Sequence, residues 1–352
     1  RLQLEDQPFG DRLTLTNQVT SHEENTAGSV VSDNALAQIE LSEPHLSLTK
    51  GVVGVQTGQT TFATDFNPDT VGPVTFTDPG TAGTPFSGTV TTAMLAANPI
   101  DSDLSGVDAG DLVRFAIVVE NTGYGVHGAH DILIHDVLPA GFVIPAGGLN
   151  LTITRGDGQT IAYTAEGGGL FDPAGGIRLT DPSDLDPNNH EGALTRFTLV
   201  SPDPGVPPTA PTGSNLAIIV YDLQVSADAA TPALVMTNTA EIAHYATQDG
   251  GTDFAQNLLP DQREDDASVI TGGFSMTKSL FSTSLPESTD PYVLIGEEAT
   301  FHITLTLREG LTQDVLLTDL LPTTPGILSL VNWQVINLGA NLSFTGTAPP
   351  VN

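Results

Sequence analysis

The sequence predicts an all-β protein built of tandem β-sandwich repeats, with the copies at both ends incomplete. Three observations carry this. Apolar residues recur at every second position in several short segments. The stretches between them are rich in turn-forming residues, with 36 Gly and 25 Pro among 352 residues. The same short motifs return in the same order along the chain.

The alternation is clearest near the end, where Phe301, Ile303, Leu305 and Leu307 interleave with His302, Thr304, Thr306 and Arg308. Successive strand residues face opposite ways, so this pattern makes a strand with one apolar face. The matching segment 112–120 is more apolar on both faces. Segments 132–138 and 216–225 read as strands from their β-branched content. Thr91 to Ala97 suits one helical turn, and nothing else looks helical. Many short strands with Gly and Pro turns indicate a sandwich.

The repeat sets the domain organisation. Leu46-Ser-Leu-Thr-Lys50 returns as Phe274-Ser-Met-Thr-Lys278. The segment 110–117 resembles 296–303. Asp136-Val-Leu-Pro139 returns as Asp319-Leu-Leu-Pro322, and Leu15-Thr-Asn17 as Met236-Thr-Asn238. The order assigns 1–45 to the C-terminal strands of a preceding repeat, 46–272 to a full repeat, and 273–352 to the N-terminal part of the next. Lys50 lies much farther from Gly110 than Lys278 does from Gly296, so the full copy carries an insert near 52–106. A second insert lies near 166–214. Both are expected as surface loops or small added hairpins.

These residues also resemble a known family. Asn121-Thr-Gly123 follows an alternating strand, Asp136-Val-Leu-Pro-Ala-Gly141 comes next, and Met236-Thr-Asn-Thr-Ala240 precedes a fresh Thr-Lys. In that order the motifs resemble the bacterial and archaeal surface repeat called domain of unknown function eleven. The resemblance covers most of the chain outside the inserts. It implies immunoglobulin-like sandwiches repeated in large extracellular proteins, with no enzymatic activity. The third copy departs from it, with Arg308-Glu-Gly310 in place of Asn-Thr-Gly, which marks Asn121 as a turn residue.

Charge narrows the partners. Ten Lys and Arg stand against 42 Asp and Glu, a formal net charge of −32. Such a surface repels nucleic acid and anionic membranes, and attracts cations. Absence of cysteine leaves no disulfides or thiolate metal sites. No apolar run is long enough to span a bilayer. The chain starts at Arg1 without a signal peptide, as expected of a mature product or a fragment. The predicted location is extracellular, secreted or on the cell surface. The predicted partners are neighbouring repeats of the same chain or identical subunits, with the adhesion ligand unassigned.

One constellation stands out. The chain has only two lysines, Lys50 and Lys278, at the same repeat position. Lys50 is in phase with Leu46 and Leu48, Asp136 with Ile132 and Ile134, and Asn238 with Met236, Ala240 and Ile242. Each is therefore expected to point inward, as are the equivalents Lys278, Asp319 and Asn17. A buried ammonium needs a partner. Either Lys50 and Asp136 form a buried ion pair satisfied by Asn238, or Lys50 attacks the Asn238 carboxamide with Asp136 as proton shuttle, giving an isopeptide bond.

Acidic clusters are the candidate calcium sites, since calcium takes six to eight oxygen ligands. They are Asp181, Asp184 and Asp186, and Asp261, Asp265 and Asp266 before the next repeat. Asp101, Asp103, Asp108 and Asp111 form a further cluster. No other cofactor is expected. His127, His130 and His135 match no standard zinc spacing and are expected as exposed turn residues. There is no Gly-x-Ser-x-Gly, His-Glu-x-x-His or phosphate loop, so no enzyme is predicted. Trp333 is the single tryptophan, which argues against a carbohydrate platform. Asn150 and Asn341 match the glycosylation pattern. The predicted role is a non-catalytic structural or adhesive module. The alternative is a subunit of a self-assembling filament or sheath, joined by strand addition between subunits.

Overall fold

The computed structural model describes residues 3–56, 61–62, 74–186, 188–197, 212–229, 233–308, 315–321, 328–340 and 342–343. Contacts divide the chain into two units, 1–311 and 312–352. The described residues of the second unit form no helix or strand.

The first unit opens with an antiparallel hairpin, β1 (Thr14–Glu24) and β2 (Val30–Glu40). The central sandwich begins with β3 (Leu46–Val55), followed by β4 (Thr61–Phe62), β5 (Thr75–Phe76) and β6 (Phe86–Ser87). Helix α1 (Thr92–Ala97) and β7 (Leu104–Val107) lead to β8 (Leu112–Asn121) and β9 (His130–Asp136). Then come β10 (Phe142–Val143), β11 (Thr152–Arg155), β12 (Tyr163–Glu166), β13 (Gly176–Leu179) and α2 (Pro182–Leu185). Strands β14 (Leu216–Val225) and β15 (Val235–Ala246), helix α3 (Pro260–Arg263) and β16 (Glu264–Thr271) close it. A last hairpin, β17 (Ser275–Thr283) and β18 (Ala299–Thr306), follows.

Two sheets make the sandwich. One runs β10-β14-β8-β3, with β11 also on β14; the other runs β12-β13-β9-β15-β16-β7-β4. Their facing side chains alternate inward, as the period of two requires. Leu48, Phe115, Ile117, Ile219 and Leu223 from the first sheet meet Ile132, Ile134, Met236, Ile242 and Val269 from the second. Fold class is therefore all-β, a two-sheet sandwich, as the alternation predicts.

The first sheet is also covered outside, which explains why 112–120 and 216–225 are apolar on both faces. Val53, Val74, Phe86, Val90, Leu95 and Ile100 bury Ala116, Val118, Leu216, Ile218 and Val220. The insert near 52–106 is thus a packed cover. It begins inside β3, and it contains β7, which pairs parallel with β16. The second insert supplies β13, hydrogen-bonded to β9. Thr92–Ala97 is helical as expected, with Thr91 as N-cap. The short helices α2 and α3 were not expected; each begins at a proline, whose fixed φ suits a first turn.

The repeat extends to strand register. In β3–β8, Lys50 pairs with Ile117 and Val52 with Phe115. In β17–β18, Lys278 pairs with Ile303 and Leu280 with Phe301. In β15–β16, Asn238 pairs with Ala267 and Met236 with Val269. In β1–β2, Asn17 pairs with Ala37 and Leu15 with Ile39.

Candidate functional site: a buried Lys–Asp–Tyr–Asn network

The site lies between the two sheets. Lys50 on β3, Asp136 on β9, Tyr221 on β14 and Asn238 on β15 are all fully buried. Phase put three of them inward, and the structure brings those three together. Lys50 Nζ donates to Asp136 Oδ1 at 2.6 Å. Tyr221 donates its phenolic hydrogen to Asp136 Oδ2. Asn238 Nδ2 donates to the Tyr221 oxygen at 2.8 Å. Asn238 Oδ1 is buried with no hydrogen-bond partner among the described residues. The Lys50 amine lies 5.8 Å from the Phe115 ring centre and 5.9 Å from that of Tyr221, which makes its surroundings apolar.

Burial therefore dominates the acid–base behaviour. Desolvation lowers Lys50 to about 8, against the opposing pull of Asp136. Desolvation raises Asp136, against the opposing pull of Lys50. Both shifts favour an uncharged amine beside an uncharged acid. The Lys50 backbone N–H donates to Asp265 Oδ2 at 2.7 Å, tying β3 to β16. Desolvation raises Asp265 to about 6.

Tyr221 was missed in the sequence because 216–225 reads as a continuous apolar run, where a tyrosine passes for core. A buried phenol needs a polar partner, and Tyr221 shares its phase with Ile219 and Leu223, the face that meets Asp136.

The outer face of the same sheet holds a second buried pair, also missed. Arg114 and Asp222 pair directly across β8 and β14. Arg114 Nε and Nη2 donate to the two carboxylate oxygens at 2.7 and 2.9 Å. Its other donors reach Thr77 O at 2.8 Å, Thr77 Oγ1, and Thr81 O at 2.9 Å. Asp222 Oδ2 also accepts from Gly80 N at 2.8 Å and Asn150 Nδ2 at 2.9 Å. The pair clamps the 74–103 cover onto the sheet. A charged residue in the interior of each doubly apolar run, Arg114 and Asp222, was the signal.

Lys278, Asp319 and Asn17 are exposed, contrary to the inward expectation. Phase gives a shared face, but burial needs an opposing sheet, and neither two-stranded hairpin has one among the described residues. Lys278 Nζ instead lies 5.1 Å from the Phe301 ring centre.

Asp181, Asp184, Asp186 and Asp265 accept from backbone N–H groups. Asp181 is buried and accepts from Asp131 N at 2.9 Å and Ala193 N at 2.7 Å. Desolvation raises it to about 7. Asp184 accepts from Asp181 N, and Asp186 from Asn188 N, each at 3.0 Å. Asp261 and Asp266 are exposed. Among the described residues no group of three acidic or histidine side chains converges as a metal site. His130 is buried, not exposed as expected, because the 192–194 segment covers it; its Nδ1 lies 3.7 Å from Asp181 Oδ2. Asn121 is buried as the last residue of β8 and leads into the turn, accepting from His45 N and Gly123 N. Among the described residues no helix is long and apolar enough to cross a membrane.

No protein-family profile and no curated protein matches the sequence. Among solved structures the chain is similar to the pilus backbone of Streptococcus pneumoniae, at 16% identity over 57% of this chain and 52% of that one, TM-score 0.28. It is similar to a modular three-domain backbone pilin of Streptococcus pyogenes, at 14% identity over 84% and 54%, TM-score 0.28. A family 123 glycoside hydrolase of Clostridium perfringens is similar at 10% identity over 48% and 22%, TM-score 0.20. The chain spans about half the length of the two pilus proteins.

Proposed function

We propose that this chain is a non-catalytic extracellular structural module of the surface-repeat kind, whose complete sandwich crosslinks itself through an isopeptide bond between Lys50 and Asn238. One observation carries the reading: a buried amine, acid and carboxamide from three strands of two sheets meet in one hydrogen-bonded network. An apolar cavity keeps the amine nucleophilic and the acid protonated. The Nζ lone pair attacks Cγ of Asn238, the Cγ–Nδ2 bond breaks, and one Lys50 proton ends on the departing ammonia. Asp136 begins and ends the cycle in the same state. Without cysteines, such a bond supplies the covalent brace that a disulfide gives other exported domains.

Intact-mass measurement of the purified chain tests this. The expected mass is the sequence mass less one ammonia, with the crosslinked peptide containing Lys50 and Asn238 after digestion. A mass equal to the plain sequence removes the bond and leaves a buried ion pair.

A second reading, a filament subunit joined by strand addition, is favoured by the shared register. Hairpin β17–β18 repeats the β3–β8 pairing and β1–β2 repeats the β15–β16 pairing. Val19, Val30, Val31, Phe274 and Met276 are exposed on these hairpins or beside them. Hairpins of this kind from two copies would complete one sandwich, with Asn17 opposite Lys278. Regular fibres by negative-stain microscopy are the expected outcome; a monodisperse monomer at high concentration removes this reading.

A further inference from the structure

The network has a link that the crosslinking reading does not by itself require. Asp136 does not touch the group that must leave. Its Oδ1 faces Lys50 Nζ and its Oδ2 faces the Tyr221 hydroxyl, while Asn238 Nδ2 is bonded to the Tyr221 oxygen. A departing amide nitrogen must gain a proton, because an amide anion is far too basic to leave. The one hydrogen-bonded route from Lys50 to Nδ2 in this network passes through the phenol.

Resting on the Lys50–Asn238 reading, we infer that Tyr221 is the proton relay of the condensation, carrying a proton from Asp136 to Asn238 Nδ2. With Asp136 protonated, the acid donates to the Tyr221 oxygen, and Tyr221 donates to Nδ2 once addition at Cγ has given that nitrogen back its lone pair. Nζ attacks Cγ and passes one proton to Asp136. Asp136 passes one to the Tyr221 oxygen, and Tyr221 passes its own to Nδ2. The new Nζ–Cγ bond forms, the Cγ–Nδ2 bond breaks and ammonia leaves. Tyr221 and Asp136 return to their starting states, so no oxidant or further reactant is needed. Desolvation, which raises Asp136 and Tyr221 alike, keeps both protons in place between steps.

The ring also packs, stacking on Phe115 at 5.6 Å and meeting Phe171 edge-on at 5.6 Å. Tyr221→Phe keeps that packing and removes only the hydroxyl. The full chain and this variant are synthesised in a cell-free reaction, quenched in acid at intervals, and weighed intact. The wild type is expected to lose ammonia, and the variant to do so about 10²-fold more slowly, the lower end for a positioned acid–base group. Equal rates overturn the relay while leaving the crosslink standing. A wild type that stays at the plain sequence mass overturns both. Packing is separated by melting Asn238→Ala with and without Tyr221→Phe, since neither can crosslink. A drop of only a few degrees is expected, from the lost hydrogen bond to Asp136; a collapse of the fold makes Tyr221 a packing residue and overturns the relay.

Discussion

One sheet buries a basic side chain on each face, Arg114 paired within the sheet to Asp222 and Lys50 paired across to Asp136 of the other sheet, and the two pairs are built differently. On the outer face, each of the five N–H donors of Arg114 has an acceptor, and Asp222 takes two further donors from the cover and from Asn150. On the inner face, among the described residues, Lys50 Nζ meets one carboxylate oxygen and two aromatic rings, and Asn238 Oδ1 has no hydrogen-bond partner. Arginine stays charged in any protein setting, so only a full set of partners makes it tolerable there. Lysine can shed its proton, so an incomplete set leaves it poised to react. Satisfaction of hydrogen bonds thus separates a clamp from a reactive group, though each sets a buried basic side chain against a buried carboxyl group.

Substitutions can break this contrast. The largest effect is expected from Asp136→Ala. It should restore the plain sequence mass and lower unfolding stability in urea by about 8 kcal/mol. About 5 of that is the lost constraint on the long loop between residues 50 and 238, and about 3 the stranded lysine. Arg114→Ala should cost about 3 kcal/mol by leaving Asp222 buried and unpaired. It should leave the ammonia loss intact, and limited proteolysis should cut first within 74–103. A clamp variant that also stopped the crosslink would merge the two sites into one.

Smaller effects sharpen the picture. A Cβ at Gly51 would sit 2.6 Å from the backbone nitrogen of Ser102, whose carbonyl bonds Val52 N at 2.9 Å. Gly51→Ala should therefore cost about 2 kcal/mol by prising the insert from β3, measured by thermal melting. The smallest effect concerns Asp181, raised to about 7. The folded state then holds a proton the unfolded chain has released between its ordinary range and pH 7. Its contribution is full at low pH and is lost as pH rises towards 7. Asp181→Asn should flatten that fall by about 1 kcal/mol across the window, read from urea midpoints at pH 4 and pH 7.

Much of the fold was legible because period-two alternation states directly which side chains share a face. That same phase picked out Lys50, Asp136 and Asn238 across three strands, with no knowledge of strand order. It failed where both faces are covered. In 112–120 and 216–225 the outer cover hides the alternation, and with it went Tyr221, Arg114 and Asp222. It also could not say whether an inward phase has anything to face. Lys278 occupies the register of Lys50 and is exposed, since burial belongs to the opposing sheet and not to the strand.

The position of the Lys50–Asn238 link in the chain has a mechanical consequence. Tension entering at Leu46 would run four residues along β3, cross to β15 through one amide, and leave by β16. Everything from residue 51 to 237, both inserts included, would lie off the line of force. Those segments could lengthen, shorten or acquire new surface chemistry without altering how far the module stretches.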